Sequence, residues 1–254
     1  MARGFGIQGG IIGVAAAAVV ALAAAGTLVF SGAGTDSSAA DAAKQPKKAP
    51  SVVPLSPKLA HASDRPGRSL NITIDDGPDP QWTPKVLEVL KQHDVKAVFC
   101  MIGPQAKAHP DLVKKVVAAG HKLCDHTITH DTAMNHKSQG YQSQQILDAQ
   151  KMIEDAAGGA KAEYYRAPGG AFTPYSRQLA ADHGMRPLGW NVDSKDFEGG
   201  SVETIEARVR GELSKGPTIL FHDGGGDRSR TVEVLERLLP WMKQQGYGFG
   251  FPKR

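Results

Sequence analysis

The chain has 254 residues, of which 41% are hydrophobic and 22% are charged, which is the composition of an ordinary soluble protein and by itself excludes little. It carries 30 basic and 26 acidic residues; 6 of the basic and 3 of the acidic residues precede Arg68, which leaves 24 basic and 23 acidic residues from there on. The larger part of the chain is therefore nearly neutral, and this argues against a nucleic-acid-binding domain.

The chain begins with an apolar leader. Residues 11–30 form an almost unbroken apolar run rich in Ala and Val, and Arg3 precedes it. Twenty apolar residues can span a bilayer, whereas the small residues that follow the run are typical of a cleavage site. We therefore predict that residues 1–33 are either a signal peptide or a membrane anchor, and that the protein is exported to the cell envelope or beyond it.

A low-complexity segment follows the leader. Residues 34–66 are rich in Ala, Ser, Pro and Lys and show no hydrophobic periodicity, which predicts a disordered linker. Its positive charge suits contact with an anionic envelope surface and comes from Lys44, Lys47, Lys48 and Lys58. Residues 67–254 are predicted to form a single domain.

Within that domain, short apolar runs alternate with amphipathic stretches, the pattern of an α/β fold with a parallel sheet. The predicted strands are 69–74, 96–101, 121–124, 163–165, 185–191, 217–221 and 247–251. About seven parallel strands in so short a domain predict a distorted or incomplete (β/α) barrel rather than a regular eightfold one.

Local signals mark several of the helices between these strands. Thr83 before Pro84 predicts a helix N-terminus, with Thr83 as the N-cap. Pro110 opens an amphipathic stretch that Gly120 closes. Residues 138–157 and 202–213 also have helical periodicity.

The two cysteines, Cys100 and Cys124, fall on neighbouring predicted strands. Export would place them in an oxidising compartment, where a disulfide can persist. Their position on neighbouring strands makes a disulfide geometrically feasible, but the sequence leaves the pairing open. They lack the CxxC spacing of a cysteine metal site.

Polar side chains follow five of the predicted strands. The carboxyl ends of parallel strands open on one face of an α/β fold, where catalytic groups gather. The ionisable residues at these ends are Asp75, Asp76, Asp125, His126, Arg166, Asp193, Asp196, His222 and Asp223.

His126 and His130 are four residues apart and would share one face if their loop were helical, a spacing that suits chelation of one ion. Two histidines and one carboxylate are a standard ligand set for catalytic zinc, and Asp76 is the natural third ligand. The adjacent Asp75 is then free to accept a proton from a bound water.

Five segments in order, TIDDGPD at 73–79, HTITH at 126–130, RAPGG at 166–170, WNVDSKDF at 190–197 and ILFH at 219–222, resemble the motifs of the NodB-like polysaccharide deacetylases, carbohydrate esterase family four. The resemblance covers about 180 residues, essentially the whole domain. It implies that residues 67–254 are the catalytic domain of a metal-dependent enzyme.

The resemblance also implies a role for each matching residue. Asp75 would be the general base, oriented by Arg166, and His222 would be the general acid, held by Asp196. The implied metal ligands are Asp76, His126 and His130, and Leu220 would contact the acetyl methyl. A backbone N–H near Gly169 would stabilise the oxyanion. Trp190 is expected to line the cavity because it lies on the predicted strand that leads into the site. Where relatives commonly carry Trp, this chain has Phe197, and Gly169 replaces a common aromatic residue.

The expected activity is hydrolysis of N-acetyl groups on GlcNAc-containing polysaccharide, such as chitin oligomers or peptidoglycan. Zn²⁺ is the expected ion, with Co²⁺, Ni²⁺ or Mn²⁺ as alternatives. O-acetyl hydrolysis on acetylated xylan and a non-catalytic wall-binding module are the alternative functions. The expected partners are the polysaccharide and, if the leader is uncleaved, the membrane; neither nucleic acid nor an obligate protein partner is expected. The glycine-rich stretch at 222–230 lacks the GxxxxGK[ST] order of a phosphate-binding loop and is interpreted as a flexible rim loop beside His222.

Overall fold

The computed structural model describes residues 55–254, so the predicted leader and most of the predicted linker lie outside the described residues. Within 55–254, none of the helices combines the length and hydropathy needed to cross a bilayer.

The described part of the chain forms one curled sheet in which every pair of neighbouring strands is parallel. Its strands are β1 (Ser69–Asp75), β2 (Ala97–Met101), β3 (Lys122–Asp125), β4 (Ala162–Tyr165), β5 (Arg186–Pro187), β6 (Val192–Asp193), β7 (Thr218–His222) and β8 (Gly248–Phe249). Their order is β5-β4-β3-β2-β1-β7-β6, and β8 pairs with the start of β1.

The predicted strand 185–191 is wrong as a single strand, because the structure divides it into β5 and β6 at opposite edges of the sheet. Only residues 188–191 connect these two edges, so the sheet must curl until the edges approach each other. This curl confirms the predicted fold class, a distorted and incomplete (β/α) barrel.

The linker boundary predicted at residue 66 needs correction, because part of this segment is packed. The Ala60 N–H donates to Pro187 O at 2.8 Å, and the Gly189 N–H donates to Ala60 O at 3.0 Å. Ala60 is 3% exposed and lies beside the connection between β5 and β6. Backbone pairing of this kind requires no apolar periodicity, and for that reason composition did not reveal it.

Side chains of β1 alternate between the two faces of the sheet. Leu70, Ile72 and Ile74 belong to the main hydrophobic core, which the outer helices cover. The intervening polar residues form hydrogen bonds across the barrel interior: Asn71 Nδ2 donates to Thr218 Oγ1 at 2.9 Å, and Thr73 Oγ1 donates to Ile219 O. The same alternation directs Asp75 towards the interior at the carboxyl end of the strand.

The helices are α1 (Thr83–Gln92), α2 (Gly103–Ala108), α3 (Pro110–Ala118), α4 (Gln139–Ala156), α5 (Pro174–Asp182), α6 (Val202–Glu212) and α7 (Ser229–Gln244). Thr83 is the first residue of α1 and Trp82 is the N-cap, so the predicted N-cap is one residue too late. The Thr83 hydroxyl accepts the Asp79 N–H and donates to Asp223 instead of capping the helix. Gly120 adopts a φ of 80° just after α3, as the C-terminal signal predicted.

Cys100 and Cys124 form a disulfide, which answers the question that the sequence left open. They are register partners on β2 and β3, and both are fully buried. Cys100 O also accepts the Asp76 N–H at 3.1 Å, so the cross-link lies directly beneath the strand ends that carry the predicted metal ligands.

Candidate active site

The carboxyl ends of the strands surround a cavity of about 510 Å³. Nine of the predicted site residues line it: Asp75, Asp76, His126, His130, Arg166, Gly169, Trp190, Leu220 and His222. The tenth, Asp196, lies behind His222 and is 4% exposed. The fold therefore brings together residues that are as many as 147 positions apart in the sequence.

Asp76, His126 and His130 each direct one ligand atom to a common point, and these three atoms lie within 4.8 Å of one another. The distance from Asp76 Oδ1 to Nε2 is 3.2 Å for His130 and 3.5 Å for His126. The cluster is therefore compact enough for one ion to contact all three residues.

Three observations show that this cluster fits a divalent ion. Asp76 Oδ1 is buried and has no hydrogen-bond partner within the described residues, which an ion would satisfy. Burial lowers the pKa of His126 to about 3, outweighing the opposite effect of Asp76, so the ring is neutral and its short contacts with carboxylates are not ion pairs. His126 Nδ1 contacts Arg166 O at 2.8 Å, which directs Nε2 towards the cluster.

The loop that carries the two histidines is not helical, contrary to the condition set in the sequence analysis. Thr127 and His130 adopt positive φ angles of 70° and 53° instead. Buried side chains hold this conformation: Asp125 Oδ1 accepts the Thr127 N–H at 2.7 Å, and Gln145 Oε1 accepts the Thr129 N–H at 2.9 Å. The histidines thus converge through an irregular loop, which spacing alone does not predict.

Asp75 is held by a buried ion pair with Arg166. Arg166 Nη1 lies 2.7 Å from Asp75 Oδ1, and both side chains are at most 3% exposed. Burial raises the pKa of Asp75 above its usual value, although the charges of Arg166 and His222 act in the opposite direction. Desolvation therefore outweighs the attraction between the Asp75 carboxylate and the Arg166 guanidinium.

His222 and Asp196 form the second polar pair. His222 Nδ1 lies 2.7 Å from Asp196 Oδ1, while Asp196 Oδ2 accepts hydrogen bonds from the His222 N–H and from Thr231 Oγ1. Burial lowers the pKa of His222, but the hydrogen bond and charge of Asp196 outweigh burial and leave this pKa raised. Because Nδ1 is engaged, Nε2 is the nitrogen available to the cavity.

Apolar groups complete the cavity wall. Leu220 is 5% exposed and lies two residues before His222 on β7. The Arg166 guanidinium lies over the Trp190 ring, with 5.6 Å between Arg166 Cζ and the ring centroid. Phe197 is 45% exposed and therefore lies at the rim of the cavity rather than in the core. Its ring packs edge-to-face with the His222 ring, with 5.0 Å between the ring centroids.

Sequence reasoning assigned no role to two further residues at the site. Asp223 is fully buried, accepts a hydrogen bond from Thr83 Oγ1 at 2.6 Å and packs against Gly77, where a Cβ would lie 2.3 Å from Asp223 Oδ1. Burial raises its pKa to about 7. Arg228 lines the cavity and is 6% exposed. The sequence signal for Asp223 is its position directly after a predicted strand, and that for Arg228 is its position in the glycine-rich stretch at 222–230.

Residues 62–188 match the family model described as polysaccharide deacetylase. The chain is 38% identical to a peptidoglycan-N-acetylglucosamine deacetylase from Bacillus cereus over 180 residues, which cover 70% of this chain and 83% of that protein. It is 33% identical to a chitooligosaccharide deacetylase from Sinorhizobium fredii, covering 70% and 87% of the two chains.

Among solved structures, a pseudoenzyme of carbohydrate esterase family four from Bacillus anthracis is similar with a TM-score of 0.70 and 28% identity. The similarity covers 78% of this chain and 70% of that protein. The sequence motifs, the fold and these relatives agree, and this chain belongs to the polysaccharide deacetylases of carbohydrate esterase family four, the NodB homology family.

Proposed function

We propose that this protein is a metal-dependent hydrolase that removes N-acetyl groups from GlcNAc-containing polysaccharide, such as chitin oligomers or peptidoglycan, and releases acetate. The observation that carries the proposal is the presence of Asp75 and His222 in the same cavity as the cluster of Asp76, His126 and His130. The names of the relatives, peptidoglycan and chitooligosaccharide deacetylases, support this substrate class.

Zinc suits two imidazoles and one carboxylate, and Co²⁺, Ni²⁺ or Mn²⁺ are alternatives with the same ligands. When bound, such an ion supplies Lewis-acid chemistry, polarising the acetyl carbonyl and lowering the pKa of water. Asp76, His126 and His130 would hold it.

Asp75 is the group that removes a proton from the attacking water. Arg166 fixes Asp75 Oδ1, so Asp75 Oδ2 is the oxygen that remains available on the cluster side, 3.5 Å from His126 Nε2. A raised pKa makes a carboxylate a stronger proton acceptor, provided that it remains ionised at the working pH. A cation in the neighbouring cluster would favour that ionised form.

His222 is the group that donates a proton to the leaving nitrogen. As water adds to the acetyl carbon, its proton passes to Asp75; when the carbon–nitrogen bond breaks, the nitrogen takes a proton from His222 Nε2 and departs as an amine. The raised pKa of His222 keeps the imidazolium available for this step. Leu220, Trp190 and the backbone near Gly169 surround the acetyl group, where Leu220 would contact its methyl.

The sequence alternatives are O-acetyl hydrolysis and wall binding without catalysis. The same groups would hydrolyse an ester, so substrate comparison has to decide between amide and ester. A family fold alone does not imply catalysis, because a structural relative is a pseudoenzyme. Asp75, Asp76, His126, His130 and His222 are all present here and converge, and this favours an active enzyme.

We further propose that the protein acts outside the cytoplasm, either secreted or anchored through residues 1–33, and needs no obligate protein partner. The composition of that segment supports the location, because an apolar run followed by small residues is typical of export.

The test is acetate and free-amine release from chitin oligomers, peptidoglycan and acetylated xylan by protein loaded with zinc. We expect release of both products from at least one GlcNAc polymer. The Asp75→Asn variant should keep its metal content and lose turnover. Near-normal turnover in that variant would contradict the assignment of the base, and acetate release from xylan alone would favour the esterase.

A further inference from the structure

A cation stands at the start of five neighbouring strands of the sheet. In sheet order from β5 to β1, these cations are Arg186, Lys161, Lys122, Lys96 and Arg68. Each is either the first residue of its strand or the residue directly before it. Because neighbouring strands lie about 4.8 Å apart, the five cations form an arc about 19 Å long at the amino ends of the strands.

Three further cations extend this arc. Arg65 and Lys243 line a cavity of about 490 Å³ together with Lys96, and Lys253 lines a second cavity together with Arg186. We call the surface formed by these eight cations the basic face: Arg65, Arg68, Lys96, Lys122, Lys161, Arg186, Lys243 and Lys253.

Most of the charge on the basic face is not neutralised by the protein. Lys122 pairs with Glu163 and Lys161 pairs with Glu154, each at 2.5 Å. Within residues 55–254, the other six cations of the face have no carboxylate oxygen within 4.0 Å, although Asp94 lines the same cavity as Lys96. The face therefore presents a net positive charge to solvent, whereas the residues from Arg68 onwards are nearly neutral as a whole.

The basic face and the active-site cavity lie at opposite ends of the barrel. All neighbouring strands are parallel, so their amino ends share one end of the barrel and their carboxyl ends, with Asp75 and the metal cluster, share the other. The seven residues of β1 separate the two ends by about 20 Å. A surface bound to the basic face would leave the cavity open on the far side.

The described chain begins beside the basic face. Arg186 Nη1 donates to Ser56 O, which places the first described residues at the amino ends of the strands. Residues 34–54 connect this point to the predicted leader, and an extended chain of that length spans at most about 75 Å. If the leader is an anchor, the tether holds the basic face close to the bilayer that carries it.

We infer that the basic face docks on a bilayer that contains anionic phospholipids, to which residues 1–33 anchor the protein. The inference rests on the proposed location and is independent of the reaction. Phosphodiester headgroups supply the negative charge that the basic face lacks, and their attraction for Lys and Arg acts within about one Debye length. A short tether gives the bilayer a high effective concentration, which favours it over a freely diffusing anionic polymer. Docking directs the active-site cavity away from the membrane, towards the polysaccharide.

The test measures the orientation of the full chain in nanodiscs of zwitterionic lipid or of lipid containing phosphatidylglycerol. Both native cysteines are in the buried disulfide, so a new exposed cysteine can be labelled selectively. Ala62→Cys places a fluorophore at the basic face, and Gln81→Cys places one in the loop after β1, at the cavity end. Energy transfer to an acceptor on the lipid headgroups reports how close each label lies to the bilayer.

In anionic nanodiscs, transfer from the label at residue 62 should be at least about twofold more efficient than transfer from the label at residue 81. The two efficiencies should become similar in zwitterionic nanodiscs, and also at 1 M salt, where the Debye length falls to about 3 Å. These comparisons use no charge variant, so misfolding of a variant cannot explain them. Equal transfer from both labels in anionic nanodiscs would overturn the inference.

Charge reversal then locates the docking surface. Replacement of Lys96, Lys243 and Lys253 by Glu should abolish the difference between the labels, because all three are exposed and unpaired within the described part of the chain. The matched control replaces Lys85, Lys107 and Lys114, which are exposed on α1, α2 and α3, by Glu. This control has the same net charge and should keep the difference. Loss of the difference in both triple variants would overturn the inference, because net charge alone would then explain the docking.

The energy-transfer measurement needs no turnover, so it separates this inference from the proposed hydrolysis. Protein that releases no acetate but docks through the basic face would contradict the hydrolysis alone. Soluble poly(glycerol phosphate) tests the alternative partner, an anionic wall polymer. If the full chain binds this polymer through the same three lysines and shows no preferred orientation on anionic nanodiscs, the basic face binds the polymer and the membrane inference is wrong.

Discussion

The guanidinium of Arg166 on one side of the barrel holds Asp75 on another, with Nη1 at 2.7 Å from Oδ1, although the two residues are 91 positions apart. Both are buried, so removal of either leaves an uncompensated charge. Arg166 also donates to Leu188 O and Gly189 O, which connects the base to the segment between β5 and β6. The pair therefore contributes to the closure of the barrel and would also hold the proposed base in place for the reaction.

We expect Arg166→Lys to lower kcat about 100-fold, because a single ammonium cannot hold Asp75 and both carbonyl oxygens in the same geometry. Truncation to Ala should in addition lower the free energy of unfolding by about 3 kcal/mol or more. Steady-state kinetics and denaturant unfolding measure the two effects. A kcat for Arg166→Lys close to that of the wild type would show that Asp75 needs no such partner.

Asp196→Asn should shift the alkaline limb of the activity profile to lower pH. Asp196 raises the pKa of His222, so without its charge His222 loses its proton at a lower pH and ceases to be an acid earlier. The acid limb, which reflects protonation of Asp75, should move little. The measurement is kcat against pH for both proteins, and an alkaline limb that stays in place would exclude His222 as the general acid.

His130→Ala should weaken zinc binding by about 100-fold or more, because it removes one of the three side chains that we propose as ligands. Competition with a chromophoric chelator measures the affinity, and excess zinc should partly restore activity. His136→Ala is the control, since His136 is exposed, lies in the same region and is not in the cluster. Equal zinc affinity of the two variants would contradict the ligand assignment.

Replacement of both Cys100 and Cys124 by Ala should lower the free energy of unfolding by about 3 kcal/mol, as expected for a cross-link between residues 24 positions apart. Denaturant unfolding without reductant measures the loss. Wild-type protein unfolded in reductant should show a loss of similar size. If neither treatment changes the midpoint, the cross-link contributes nothing to stability.

Much of the site could be predicted because the chemistry of an α/β fold lies where strands end. Alternation along β1 and the apolar runs of β2 and β7 identified those ends within about one residue, and the five motifs then implied the roles of Asp75, Asp76 and His222. Backbone preference and burial pattern are local properties, and the sequence expresses them directly.

The tertiary structure decided what depends on distances between elements. The division of residues 185–191 into β5 and β6 and the insertion of Ala60 beside Leu188 follow from how far the sheet curls. The disulfide follows from the register of β2 against β3. That curl results from the packing of every strand and helix together, so no local pattern specifies it. The raised pKa of Asp75 likewise arises only when the fold buries its carboxyl group away from water.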